Sequence, residues 1–161
     1  SKNKSGIVIA NDQKKGRGRY GKKWISYKGN IFVSIFFNLE KKNISLNKMT
    51  YINCFLIKKL LSLYYKKRIS IKAPNDLLVN KKKISGILQE KIYKTDNAFI
   101  IIGIGINLNK SPKVKEYLTT SLLELTSVKI NINKITLELI KIYEKFITKM
   151  QKFNVKNIYK I

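Results

Sequence analysis

A chain of 161 residues is long enough for one domain with a substantial buried core. A hydrophobic share of 44% and a mean hydropathy of −0.19 exclude a disordered polymer, and no apolar run approaches the roughly 18 residues that a membrane span needs. The net charge of +25 would ordinarily point to a nucleic-acid partner. However, 31 of the 34 basic residues are lysines that travel with many Ile and Asn, all specified by A/T-rich codons, so the bulk charge reads mainly as composition bias.

Gly6 to Ala10 is a short apolar run and predicts a buried strand. A polar, Gly- and Lys-rich loop follows from Asn11 to Trp24. Asn30 to Asn38 is aromatic and β-branched and predicts a long strand. Leu46 to Lys67 has helical spacing, with Met49, Ile52, Leu56, Leu60 and Leu63 or Tyr64 on one stripe and Ser45 or Asn47 as its cap. Ile69 to Lys72 predicts a strand that enters a Pro-Asn-Asp turn, and Leu77 to Val79 resumes extended structure. A hairpin-like corner at Asn80 leads into Lys83 to Lys91, which alternates poorly. Phe99 to Leu108 reads as a central strand, Ser121 to Leu125 as a helical turn, and Ile135 to Phe153 as an amphipathic helix with Leu139, Ile142, Phe146 and Met150 on its stripe. Strands dominate and helices occur singly, without βαβ alternation. That order predicts an α+β fold, a mixed or antiparallel central sheet flanked by helices, in a single domain over 1–161 with no internal repeat.

Histidine is absent and Cys54 is the single cysteine, which removes intrachain disulfides, His-based triads and most transition-metal sites. Cys54 falls on the apolar face of the first helix and reads as a small core residue. No secretory or transit signal is read at the start, so cytoplasm is the expected compartment.

The rare residues concentrate in three segments. The first is Gly16-Arg17-Gly18-Arg19-Tyr20-Gly21-Lys22-Lys23-Trp24. It matches G-x-G-x-x-G, but a strand rather than a helix follows, so a dinucleotide-binding turn is rejected. An Arg-Gly RNA-binding segment would be more credible as one of several copies. The better reading is a mobile loop that folds over an anion, with Arg17 and Arg19 supplying charge-assisted bonds and Trp24 anchoring its end. The second segment joins Lys72-Ala73-Pro74-Asn75-Asp76 to Lys83-Ile84-Ser85-Gly86-Ile87-Leu88-Gln89-Glu90. There Asp76 could partner Mg²⁺ and Lys83 could project toward a phosphate, although Lys81 to Lys83 alone reads as a solvated turn. The third is Gly103-Ile104-Gly105-Ile106-Asn107, where two glycines inside a strand imply close approach of a ligand or another backbone.

In this order the segments resemble the catalytic domain of biotin–protein ligases. That family's pattern is a Gln, then G-R-G-R-x-G-R-x-W-x-S, K-W-P-N-D, K-x-x-G-I-L-x-E and G-I-G-I-N. Here the matching residues are Gln13, Gly16 to Trp24 with Ser26, Lys72 to Asp76, Lys83 to Glu90, and Gly103 to Asn107. The resemblance covers residues 6 to 110 and implies a fold like that of class II aminoacyl-tRNA synthetases and biotin synthetases.

The resemblance implies that Gln13 binds the biotin head group and that Gly16, Arg17, Gly18 and Arg19 fold over biotinyl-5′-AMP. Trp24, Gly86, Gly103 and Gly105 would complete the biotin slot. Lys83 and Arg19 become the catalytic residues, Asn75, Asp76 and Asn107 the nucleotide region, and Asp76 a Mg²⁺ ligand. Ala73 departs from the usual Trp and Lys22 from the usual Arg. The family's Ser/Thr-Thr-Asn segment and small β-barrel are not found, so a domain of a longer protein is expected.

The implied reaction consumes ATP and biotin, with Mg²⁺, and biotinylates a lysine of the biotin carboxyl carrier protein of acetyl-CoA carboxylase. The resemblance allows a homodimer, and nothing read here supplies a DNA-binding domain or a membrane partner. The rival readings are a lipoate or octanoate–protein ligase of the same fold and, from another class, a basic nucleic-acid-binding module.

Overall fold

The computed structural model describes residues 5–39, 44–94 and 97–152. Its strands are β1 (Ser5–Ala10), β2 (Ile31–Asn38), β3 (Ser70–Lys72), β4 (Asp76–Val79), β5 (Lys82–Lys94) and β6 (Asn97–Ile106), and its helices are α1 (Leu46–Leu61), α2 (Leu122–Thr126) and α3 (Ile132–Lys152). The strands form one six-stranded sheet in the order β1-β2-β6-β5-β4-β3. Every neighbouring pair is antiparallel. The expected α+β class and sheet are therefore present.

Alternation along β6 sets the layers. Ile100, Ile102, Ile104 and Ile106 are buried, and they join Ile31, Val33, Ile35 and Phe37 of β2 in the core. On that face α1 packs against β5, β3 and β4, while α3 packs against α1 and β2. The other parity, with Gly103 and Gly105 of β6 and Ser34 of β2, looks away from the helices.

Helix α1 begins where Ser45 accepts a hydrogen bond from the Lys48 N–H, as read from the sequence. It ends at Leu61 rather than Lys67. The Tyr65 N–H still reaches the Leu61 carbonyl at 2.9 Å, but the chain then turns and tucks Tyr65 and Ile69 into the core. Its buried stripe is Met49, Asn53, Cys54, Ile57, Leu60 and Leu61, one position round from the expected Ile52 and Leu56. The displacement has a polar cause. Asn53 donates to Gln89 Oε1 at 2.7 Å and accepts from Tyr143 Oη at 3.1 Å, so its amide is satisfied inside the core and ties α1 to β5 and α3. In α3 the core is reached by Ile135, Leu139, Tyr143 and Met150, with Ile142 and Phe146 half-buried beside them. The expected residue Phe153 lies outside the described residues.

Two turns position the site. Asn80 and Lys81 both take left-handed φ, 48° and 62°, and close the β4–β5 hairpin in two residues. Immediately after, Leu77 pairs with Ser85 but Leu78 pairs with Lys83, so Ile84 is an extra residue on β5. This bulge is why the segment alternates poorly. It also turns Lys83 onto the same face as Gly86, three residues on, which an unbroken strand would forbid.

Among the described residues no helix is long and apolar enough to cross a membrane.

Candidate active site

The open face of the sheet carries a cross-strand row. Phe32 pairs with Gly105, Gly105 with Gly86, and Gly86 with Asp76, while Ser34 pairs with Gly103 and Gly103 with Leu88. Three glycines thus meet on neighbouring strands where side chains would otherwise stand. Two of them are filled by one residue. A Cβ on Gly105 would lie 2.4 Å from Trp24 Cζ2, and one on Gly86 would lie 2.8 Å from Trp24 Cζ3. The indole therefore rests on bare backbone. Gly103 faces open space apart from contacts with Leu88 no closer than 3.6 Å. The sequence assigned all three glycines to a ligand slot; in the structure Gly86 and Gly105 seat Trp24, and Gly103 opens to the cavity.

Trp24 is delivered by the Gly-rich segment, which is a compact hairpin. Gly18 N–H donates to Lys22 O at 2.6 Å, Lys22 N–H to Arg19 O at 3.1 Å, and Trp24 N–H to Gly16 O at 2.9 Å. At the tip Tyr20 has φ 56° and Gly21 φ 72°. Glycine accepts that backbone freely, whereas an 87% exposed tyrosine does not. Tyr20 covers Arg19: the guanidinium sits 4.9 Å from its ring and donates to its hydroxyl at 3.0 Å. Arg17 reaches Glu90 of β5 at 3.2 Å. Behind the hairpin, Gln13 Oε1 accepts from Ser26 Oγ at 3.1 Å.

Lys83 is held from several sides. Its ammonium lies 2.8 Å from Asp76 Oδ1, an ion pair set by proximity, since that oxygen has no aligned hydrogen-bond donor. The same Nζ is 5.3 Å from the Trp24 ring and 5.1 Å from the Tyr117 ring. A Cβ on Gly86 would stand 3.1 Å from Lys83 Cε, so that glycine also leaves room for the lysine stem to fold back.

Around these groups is a cavity of about 520 Å³, within the usual range for small-molecule sites. Its wall includes Gln13, Ser34, Leu88, Ile101 and Gly103, with eight cationic residues (Lys15, Arg17, Arg19, Lys22, Lys23, Lys72, Lys81 and Lys83) against the carboxylates Asp76 and Glu90. Such an excess raises the local concentration of anions. A neighbouring cavity of about 340 Å³ shares Trp24, Lys83 and Tyr117 and extends to Asn107, Pro112 and Thr119.

Asn107 is buried. Its amide donates to Thr120 O at 3.1 Å and Lys83 O at 3.4 Å, and its Oδ1 has no hydrogen-bond donor. Asn75 lines the first cavity but spends its amide on Ile87 O at 2.8 Å. Cys54 is fully buried with Sγ 3.8 Å from Pro74 O, and burial, then the Asp76 charge, push its thiol up to about 11. It belongs to the core behind the turn.

Gln13, Arg17, Gly18, Arg19, Trp24, Lys83, Gly86, Gly103, Gly105, Asn75 and Asp76 therefore converge on one cavity, with Asn107 in the adjoining one, while Gly16 lines neither and packs against Gln13, Trp24 and Ser26. The segment at 109–120 was not read from the sequence, and it supplies Tyr117. It is anchored by Asn30, whose Oδ1 accepts from the N–H groups of Leu108, Asn109 and Lys110 at 3.0–3.1 Å. In a chain so rich in asparagine, no local signal separates this one from the rest.

Sheet, cavity and cations define an α+β domain with a cation-lined cavity on the uncovered face of an antiparallel sheet. The sequence pattern of the biotin/lipoate A/B protein ligase family matches residues 1–107, and the chain belongs to that family. It is 33% identical to the bifunctional ligase/repressor BirA of Escherichia coli, over 88% of this chain and 45% of that protein. It is 30% identical to the biotin–[acetyl-CoA-carboxylase] ligase of Paracoccus denitrificans, over 67% of this chain and 46% of that one. It therefore spans less than half the length of these relatives. The biotin protein ligase of Aquifex aeolicus, in complex with biotin and ATP, superposes with a TM-score of 0.77 at 29% identity, covering 91% of this chain and 62% of that one.

Proposed function

We propose that this domain activates biotin with ATP to biotinyl-5′-AMP and passes the biotinyl group to a lysine of the biotin carboxyl carrier protein of acetyl-CoA carboxylase. The observation that carries this reading is the junction at Lys83. A glycine-floored slot bounded by Trp24, Gly103 and Leu88 meets a ring of cations at a single ammonium, that of the half-buried Lys83. An acid held in the slot would present its carboxylate at the point where a phosphate would dock. The names of the relatives, biotin ligases with biotin and ATP in one of them, favour biotin as the acid.

In the first step a carboxylate oxygen of biotin bonds to the α-phosphorus of ATP, and the bond to the β-phosphate bridge breaks to release pyrophosphate. Lys83 stabilises charge on the transferring phosphoryl group, and Arg19 and Arg17 draw the Gly-rich hairpin over it. In the second step the acceptor lysine amine attacks the acyl carbon, AMP leaves with the bonding pair, and the amine loses its proton. The protein supplies no covalent nucleophile. Asn107 Oδ1, an orphan acceptor whose amide is committed to two carbonyls, suits an exocyclic amine such as that of adenine.

Asp76 does not fit a resident Mg²⁺ site. Its one inward oxygen faces the Lys83 ammonium, and among the described residues no cluster of three metal-ligating side chains exists. Mg²⁺ enters with ATP as part of the substrate, and Asp76 orients Lys83. Cytoplasm is the fitting compartment for such an acceptor. The full chain incubated with biotin and MgATP should yield biotinyl-AMP by mass spectrometry and label the acceptor lysine when carrier protein is added. Lipoyl- or octanoyl-AMP formed in preference, from an equimolar mixture of the acids, would replace biotin as the substrate.

A further inference from the structure

We propose that Tyr117 is a positioning residue for Lys83, holding its ammonium at the wall shared by the two cavities. The inference rests on the role given to Lys83 above, but its geometry stands alone. The Ile84 bulge throws a long, flexible side chain onto the site face, where it has many rotamers to lose. A single carboxylate, Asp76, would draw the ammonium toward β4 and offset its charge. Aromatic faces attract the cation without taking up its N–H donors, which stay available for phosphoryl oxygens.

The ring cannot drift away from the lysine, because the two share a backbone clamp. Lys83 N–H donates to Leu118 O at 2.8 Å and Thr120 N–H donates to Lys83 O at 2.9 Å, so both main-chain groups of Lys83 are bound to the segment that carries Tyr117. That segment is braced in turn, since Thr119 Oγ1 donates to Pro112 O. Burial, and then the charges of Asp76 and Glu116, push the Tyr117 phenol up, so it meets Lys83 as a neutral ring.

Two measurements test this. In a brief acetic anhydride pulse read by mass spectrometry, Lys83 should react about fivefold faster in Tyr117→Leu than in wild type, and less than twofold faster in Tyr117→Phe, which keeps the ring. Tyr117→Met, also without a π face, serves as a second variant if the leucine protein is unfolded. Labelling of Lys83 unchanged in the variants lacking a ring would overturn the proposal, whether or not the protein makes adenylate.

The second measurement is a double-mutant cycle on adenylate formation. Tyr117→Leu alone should slow it about tenfold with the biotin KM moved less than twofold, Tyr117→Phe should restore most of the rate, and in a Lys83→Ala background the leucine change should cost under twofold. A full tenfold loss in that background would mean that Tyr117 acts on the nucleotide and not through Lys83. A wild-type protein that makes no adenylate would defeat the functional reading, and the labelling result would still decide the clamp.

Discussion

The two faces of the sheet are written by the same strands in alternate residues, and they obey opposite rules. On the helix face β6 places Ile100, Ile102, Ile104 and Ile106 in a close-packed core. On the open face the same strand places Ile101, Gly103 and Gly105, and two bare glycines on neighbouring strands seat one tryptophan. One face gains its stability by filling space. The other gives up packing so that a single indole can be laid over backbone and leave a slot beside it. Substitutions on the two faces should therefore separate stability from binding.

Gly105→Val breaks the comparison most completely. Its first added carbon would meet the Trp24 ring at 2.4 Å, so the indole must leave its seat. Biotin binding by calorimetry should be lost while far-ultraviolet circular dichroism stays native. Because Trp24 is the sole tryptophan, its fluorescence should shift to the red. Retained affinity with unchanged emission would mean that the indole does not form the slot.

Three residues earlier on β6 but facing the helices, Ile102→Ala is the mirror experiment. It deletes a fully buried side chain and should cost about 2–5 kcal/mol of stability in a denaturant titration. Biotin affinity of the folded fraction should hardly change.

Lys83→Ala sharpens the comparison within the site. Adenylate formation should fall about 10²-fold, the scale of losing one electrostatic stabiliser of developing charge. Stability should fall as well, because the change leaves the buried Asp76 Oδ1 without its counter-ion, so the rate is read on the folded fraction. A wild-type rate would remove Lys83 from the chemistry.

The segment over the site should also show its own pH dependence. Desolvation works to raise the Glu124 carboxyl, but hydrogen bonds from Ser111, Thr120 and Ser121 outweigh it and hold the group below the usual carboxylate range. A depressed carboxyl contributes stability that is present above its unfolded pKa and lost as pH falls through the folded one. Amide exchange at 109–120 should therefore accelerate selectively in acid, and Glu124→Gln should flatten that dependence. The smallest effect belongs to Glu90→Gln. Its pair with Arg17 is exposed on both sides, 71% and 43%, and its loss should move stability by less than about 1 kcal/mol.

Much of this could be read without coordinates, for local reasons. The aromatic and β-branched run of β2, the cap at Ser45 and the turn at Asn80 are decided by neighbours in sequence and appeared near their expected places, whereas β1, expected to be buried, is an edge strand with Val8 and Ile9 exposed. The α1 stripe was displaced because Asn53 satisfies its amide across β5 and α3, a fact that no helical periodicity contains. Order of motifs located the cavity wall. It could not say that Gly86 and Gly105 lie opposite each other, since that depends on strand register, nor that the Ile84 bulge brings Lys83 to their side. Tyr117 was invisible for the same reason: its partner is 34 residues upstream, and only the parallel bridge between Lys83 and Thr119 brings them together.

The central claim is that a carboxylate and a nucleotide phosphate meet at Lys83. Biotin-dependent exchange of labelled pyrophosphate into ATP tests it most directly, because it reads the first half-reaction without an acceptor protein. The account predicts exchange with biotin, little with lipoate or octanoate, and a loss of about 10²-fold in Lys83→Ala. No exchange by a natively folded chain at saturating biotin, or undiminished exchange in Lys83→Ala, would contradict it.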